Sequence, residues 1–259
     1  MVIGYGQDDR VCAYTSLMAQ LDCESVKRTS VTLLVDKEEV GSQGATGMHS
    51  QFFENFVREI LYAMGYKDER TLKRTLQNST MLSSDVAAAH DPNYPEASSP
   101  NNQAYLGCGV ALLKYVGARG KSGSNDANAE YMARLRNIMD QNHVKIQYVE
   151  LGKVDLGGGG TIAYILANYG MQVVDFGVPV LNMHSPFEVS SKADVYEAYK
   201  GYKALFRKHE LRPVEEYLWQ NGIRYIVNYA KRSSLMVKEL RIVQELIRSR
   251  CPVHTFNWM

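Results

Sequence analysis

Hydrophobic and polar positions follow two rhythms along this chain, one of period near 3.6 and one of short apolar runs. Val11, Tyr14, Leu17, Met18 and Leu21 recur at helical spacing directly after the polar run Asp8-Asp9-Arg10, which places those carboxylates at or before a helix N-terminus. Val31-Thr-Leu-Leu-Val35 has the form of a buried strand and runs into Asp36-Lys-Glu-Glu39 and the glycine-rich stretch Gly41 to Gly47. Phe52, Phe53, Phe56, Val57, Ile60, Leu61 and Met64 make one face of a second helix, and Ser79 to Ser84 is a weaker strand candidate that ends at Asp85. Residues 86–103, rich in Asn, Pro, Ala and Ser, read as a long loop, a length that is uncommon without a functional reason. The pattern then predicts an apolar segment from Tyr105 to Tyr115, a loop over 117–125, a helix over 127–140 and a strand over 144–149. Gly157 to Gly160 opens a helix over 161–169, followed by a strand over 171–176 and an extended piece from Val178 to His184. Ser191 and Asp194 stand in capping-box spacing at the head of a helix over 191–205. The text changes character near residue 208, giving a helix over 214–219, a strand over 223–227 and a basic helix over 237–247. Two units are therefore expected, 1–208 and an unassigned α/β tail, 209–259. No internal repeat is evident, and the alternation of strands with helices predicts an α/β layer architecture.

Composition narrows the partners. With 29 Lys+Arg against 28 Asp+Glu the formal net charge is +1, too small for a field that recruits nucleic acid or an anionic membrane. Lys231, Arg232, Lys238, Arg241, Arg248 and Arg250 of the tail then read as a solvated helix face, and no nucleic-acid partner is expected. No apolar run approaches the roughly 20 residues of a membrane span. Met1 to Gly6 lacks the basic and apolar regions of a signal peptide, so a cytoplasmic location is expected. Cys12, Cys23, Cys108 and Cys251 form no CxxC pair, which points to reduced, mostly buried thiols in place of a zinc knuckle or a disulfide framework.

Chemistry enters with Asp8-Asp9, Glu38-Glu39, Asp85 and His184, hard metal ligands placed after strands or before helices. In open α/β folds such positions converge at the carboxyl ends of the strands. Adjacent residues point different ways, so of Glu38 and Glu39 one can bind a metal while its neighbour holds a water, the division needed for metal-assisted hydrolysis. Taken singly, each has a plainer reading. An Asp before a helix is an N-cap, a Glu pair after a strand is a solvated turn, and a lone His is a structural residue. The glycine run at 157–160 could hold a phosphate at a helix N-terminus, but it lacks the Lys-Ser/Thr ending of a P-loop and the GxGxxG spacing.

The strings GYGQDDRVCAYTSL (4–17), DKEEVGSQGATGMHS (36–50), SSDVAAAHDPNYP (83–95), GKVDLGGGGTIA (152–163) and VLNMHSPFEVSSKADVYEAYKGYKAL (180–205) together resemble the aminopeptidase I/aspartyl aminopeptidase family of cocatalytic zinc metallopeptidases. The likeness runs in order over about residues 1–207. It implies a mixed sheet flanked by helices, the zinc-exopeptidase (phosphorylase/hydrolase-like) catalytic domain. The activity implied is release of N-terminal residues, neutral or apolar ones, from peptides through a water activated by two Zn2+. By resemblance Asp8 bridges the two zinc ions, Glu38 is the general base, Glu39 and His184 complete one site, and Asp85 binds the other zinc. Lys114, Gly158, Gly159 and Met183 take the substrate-contacting positions, with the DLGGGGT loop near the substrate.

The resemblance also implies what this chain departs from. The family's catalytic domain has an N-terminal piece with a histidine ligand in a His-x-Asp motif, then an inserted dimerisation domain, and neither has a counterpart here. The expectation is an N-terminally incomplete catalytic domain, a fragment whose second zinc site is weak and whose sheet lacks strands. The family builds homo-oligomers, for which the dimerisation domain is missing here. Three functions follow: an aminopeptidase, alone or with a separate N-terminal piece; a truncated, inactive remnant that binds at most one zinc; and, more distantly, a related deacylase or amidohydrolase.

Overall fold

The helical rhythm at the start of the chain forms α1 (Gln7–Leu21), preceded by the short strand β1 (Val2–Gly4). The apolar run after it is β2 (Ser30–Val35), and the acidic residues beyond close a single 3-10 turn, Glu38–Val40. The phenylalanine-rich face belongs to α2 (Phe52–Ala63). A helix that the pattern does not announce, α3 (Glu69–Gln77), follows; Asp68 caps it by accepting the Thr71 amide at 2.9 Å, and Leu72 and Leu76 bury its short apolar stripe. Next come β3 (Thr80–Ser84), β4 (Ala87–Ala88), β5 (Val110–Leu113), β6 (Tyr115–Ala118), β7 (Ser122–Asp126), α4 (Ala129–Gln141) and β8 (Ile146–Val149). The chain continues through α5 (Ala163–Ala167), β9 (Gln172–Gly177), β10 (Pro179–Leu181), β11 (Glu188–Ser190), α6 (Lys192–Arg207) and β12 (Arg224–Tyr229). This computed structural model describes residues 1–26, 28–153 and 158–207, with the backbone alone of Arg224–Tyr229. The helices expected over 214–219 and 237–247, Cys251, and residues Asp155 to Gly157 of the glycine loop lie outside the described residues.

The loop expected over 117–125 is instead the hairpin of antiparallel β6 and β7. Its glycines and serines hide the strands from a hydrophobic pattern. The turn is nonetheless local chemistry: Arg119 and Gly120 both take positive φ, 51° and 76°, the type I′ arrangement that suits strand twist.

Two sheets carry the fold. The larger has the order β2-β12-β3-β9-β5-β8, and the smaller β1-β11-β10-β4. β2, β12, β3 and β9 are mutually parallel, while β5 runs against β9 and pairs in parallel with β8. Side chains alternate across the larger sheet. Leu82, Val110, Leu112, Val174 and Phe176 face a core shared with Cys12 and Ala19 of α1, Leu135 and Met139 of α4 and Tyr202 of α6. Leu33, Val35, Met81 and Val173 face the other core, with Phe53 and Val57 of α2, Leu72 and Leu76 of α3 and Ile165 and Leu166 of α5. The result is a mixed sheet between two helical layers. Cys12 and Cys23 are buried free thiols and Cys108 is an exposed one. Among the described residues no helix is long and apolar enough to cross a membrane.

The C-terminal ends of β3 and β9 approach each other closely enough to demand a glycine. A Cβ on Gly177 would fall inside the contact radius of the Asp85 carbonyl oxygen. Gly177→Ala is therefore expected to destabilise the chain by about 3 kcal/mol or more, since backbone has to move. A chemical-denaturation midpoint within error of wild type would contradict this close approach.

Candidate metal centre

β2 ends at Val35, and the chain must turn sharply to bring its next residues over the strand ends. Lys37, at φ 73°, and Gly41, at φ 80°, flank the turn on left-handed backbone, and the Val40 and Ser42 amides donate to the Lys37 carbonyl at 3.1 and 2.7 Å. Buried Asp36 anchors it, accepting the Thr46 hydroxyl at 3.2 Å. Glu38 and Glu39 are thereby held at the strand end, with Glu38 half-buried. Asp8 and Asp9 sit in the first turn of α1 with non-helical backbone angles, joined by a cis peptide, and both are buried. Asp85 follows β3 directly, and His184 follows β10 on left-handed backbone at φ 66°.

These side chains converge. His184 Nε2 lies 2.9 Å from Asp8 Oδ2 and 3.3 Å from Glu39 Oε2. Ligand atoms of Asp8, Glu39 and His184 all fall within 4.8 Å of one another, and so do those of Asp8, Asp9 and Asp85. Asp8 belongs to both groups. Glu38 sits beside them, facing the negative charges of Glu39, Asp8 and Asp175.

The electrostatics is that of anions crowded together away from water. Burial first, then Glu39, pushes Asp8 up to about 7, while His184 pulls the other way. Burial, then Glu39, Asp8 and Asp175, pushes Glu38 up to about 7. Burial raises Asp9 and Asp85 well above the usual carboxylate range, with Asp85 and Asp8 adding to Asp9, and Glu38 and Asp8 adding to Asp85. Cys12 and the Val86 amide face Asp9, yet neither carboxylate oxygen of Asp9 meets a partner of full hydrogen-bond geometry among the described residues. Buried, unpartnered carboxylate oxygens opposite another carboxylate are what a divalent cation satisfies. Asp8, Glu39 and His184 offer two carboxylate oxygens and one imidazole nitrogen close enough together to hold a metal ion, a donor set of the kind that zinc takes.

Pattern reasoning does not single out Glu188, which holds the site together. Its side chain is buried and accepts the Asp8 amide at 3.1 Å and the His184 amide at 2.8 Å. Gln7 donates to the Glu188 carbonyl at 2.6 Å, tying α1 to β11. One carboxylate thus fixes the backbone of Asp8 and of His184, distant in sequence. Glu188→Ala leaves both amides without that acceptor, and a 10–100-fold loss of zinc affinity is expected, the usual cost of removing a ligand's support. Isothermal titration with zinc measures it; unchanged affinity would remove Glu188 from the site's architecture.

Asp175 is a second carboxylate that the pattern does not mark. It lies on β9 opposite Ser83 of β3, and burial lifts it to about 6 against the pull of the Thr161 and Ser83 hydroxyls. Of the expected substrate-contacting residues, Met183 is half-buried against the α1–α6 core, and Lys114 ion-pairs with Asp126 at the end of β7. Gly158, at φ 80°, and Gly159 lie against the Gly117 carbonyl and the Leu151 side chain, ahead of Thr161.

Comparison with known proteins places this geometry in a family. A family model described as aminopeptidase I zinc metalloprotease (M18) matches residues 1–206. A probable M18 family aminopeptidase 1 of Clostridium acetobutylicum is 62% identical over 204 residues, covering 79% of this chain and 44% of that protein. Its namesake in Thermotoga maritima is 48% identical over 209 residues, covering 80% and 46%. The crystal structure of aminopeptidase I from Clostridium acetobutylicum superposes with a TM-score of 0.73 at 60% identity, over 80% of this chain and 44% of that one. The chain thus spans less than half the length of the relatives it matches.

Proposed function

The chain belongs to the aminopeptidase I (M18) family of zinc metalloproteases, and from that premise we propose that it forms the metal-binding part of a peptidase that releases neutral or apolar N-terminal residues from peptides. The observation that carries this reading is the convergence of Asp8, Glu39 and His184 beside Glu38. Asp8, Glu39 and His184 hold one zinc, and Asp8 with Asp85, joined by Asp9, offers the second position. Zinc bound there supplies Lewis-acid polarisation of a carbonyl and lowers the pKa of water. Glu38 stands outside both ligand groups and is free to take a proton from water and deliver it to the leaving amine. Burial and neighbouring charge bring its proton affinity near neutrality, where a carboxyl group can do both. Met183 beside His184, the 158–159 glycines and Lys114 are the positions proposed to contact the peptide.

A second reading rests on the Asp8-Asp9-Asp85 group, which has three carboxylates and no imidazole. On that reading the chain is a remnant that holds at most one zinc and does not turn over. Zinc per chain on gel-filtered protein, with leucine-anilide hydrolysis in the same fractions, separates the two. Two zinc ions with turnover support the peptidase; one zinc or none, without turnover, supports the remnant and overturns the peptidase.

A further inference from the structure

β2 and β3 are not hydrogen-bonded to each other. Each pairs in parallel with the same strand, β12, whose Arg224 lies opposite Ser30 on one side and Thr80 on the other, and whose Asn228 lies opposite Leu34 and Ser84. This strand stands outside the matched residues 1–206, yet it occupies an interior position of the larger sheet.

The position matters for the metal centre. β2 leads out to Glu38-Glu39 and β3 leads out to Asp85. Neighbouring strands lie about 4.8 Å apart, so one interposed strand sets β2 and β3 about 9.6 Å from each other. Asp8 and His184 are anchored elsewhere, to Glu188 and the smaller sheet. Were β12 absent, β2 would either detach or close onto β3 by a strand width. Either movement exceeds the roughly 0.2 Å tolerance of a zinc–ligand distance many times over, and it would carry Glu39 away from Asp8 and His184.

We infer that Arg224–Tyr229 is a spacer strand, supplied from outside the family-matched region, that sets the position of Glu39 in the metal centre. It is a positioning element and takes no part in ligation. The inference rests on the metal reading above. It also explains how the larger sheet keeps continuous pairing in a chain that covers less than half of its relatives.

Hydrogen exchange on the wild-type full chain is the first test. Amides of 224–229 should exchange as slowly as those of 80–84, at every protein concentration. Fast exchange in 224–229 beside a protected β3 overturns the inference. So does protection that vanishes on dilution, because the strand then comes from a second copy. The second test is Ile226→Pro in the full chain, which removes a ladder donor from an interior strand. Zinc affinity should fall at least tenfold and protection of 31–35 should be lost, while 110–113 and 172–177 stay protected; Ile226→Val should retain wild-type affinity. Wild-type zinc affinity in Ile226→Pro overturns the spacer role. If that variant does not fold, the wild-type exchange pattern decides. A wild-type chain that binds no zinc overturns the metal reading and the spacer role with it, whereas zinc binding with unprotected 224–229 overturns the spacer role alone.

Discussion

Glu38→Gln is expected to leave zinc content unchanged and to lower the turnover of leucine-anilide by about 10²–10⁴-fold, the range of a lost general base. Glu38 and Glu39 share one 3-10 turn, yet Glu39 lies 3.3 Å from His184 Nε2 while Glu38 is in neither group of ligand atoms. The amide of Gln keeps the size and the turn and removes only the capacity to accept and return a proton. Paired measurement of zinc by atomic absorption and of initial rates across matched fractions checks it. If zinc falls in step with turnover, Glu38 is a ligand and the general base lies elsewhere. If turnover survives, hydrolysis does not pass through this carboxylate. Asp175 is the natural control, since it is one of the charges that raise Glu38 but faces Ser83 and Thr161. Its replacement by Asn should leave a much smaller deficit than Glu38→Gln.

Some of this site can be read directly from the chain. The run from Val31 to Val35 is apolar because Leu33 and Val35 are buried in the core and Val31 packs against it, and a pair of glutamates straight after such a strand has to sit at its carboxyl end. The strings around Asp8, Asp85 and His184 carry the family likeness, and the structure brings Asp8 within reach of His184 in one group and of Asp85 in another. Other features leave no trace in a pattern of side chains. Glu188 sits in a short strand and looks like any surface glutamate, although it is 1% exposed and accepts the Asp8 and His184 amides. Asp175 is an ordinary carboxylate until burial makes it expensive to ionise. The hairpin at Tyr115–Asp126 is written in glycine and serine, whose strand character comes from pairing and not from propensity. Strand order is the clearest case. A strand near residue 225 is legible from its own residues, but its seat between β2 and β3 is a tertiary fact, set by which edges remain unpaired when the rest of the sheet has formed.

Asp8→Asn should have the largest effect on metal binding and an opposite effect on the stability of the metal-free chain. Asp8 is the residue common to both groups, so its replacement by Asn withdraws the shared carboxylate from each. Zinc affinity is expected to fall by more than the roughly 100-fold upper cost of losing a supporting partner, at both positions together, whereas His184→Ala should affect one. Stability moves the other way for a reason that can be signed. Asp8 titrates near 3.8 when unfolded and at about 7 in the folded, metal-free chain, chiefly because it is buried. Between those values the folded state holds more protons than the unfolded state, so stability falls as pH rises from about 4 to about 7 and levels off above. Glu38, raised from 4.5 to about 7, slopes in the same direction. Replacing Asp8 by Asn deletes its share of the slope, a gain on the order of a few kcal/mol at pH 8, and leaves stability near pH 4 almost unchanged. Thermal unfolding of metal-stripped wild type and variant across pH 4–8 measures this directly. A wild-type chain whose metal-free stability increases over that range would mean that these carboxylates are neither buried nor crowded in solution. The same crowding gives a dication a reason to bind: it would replace the protons that the folded site otherwise retains, so the buried carboxylates that destabilise the empty fold would become its points of attachment.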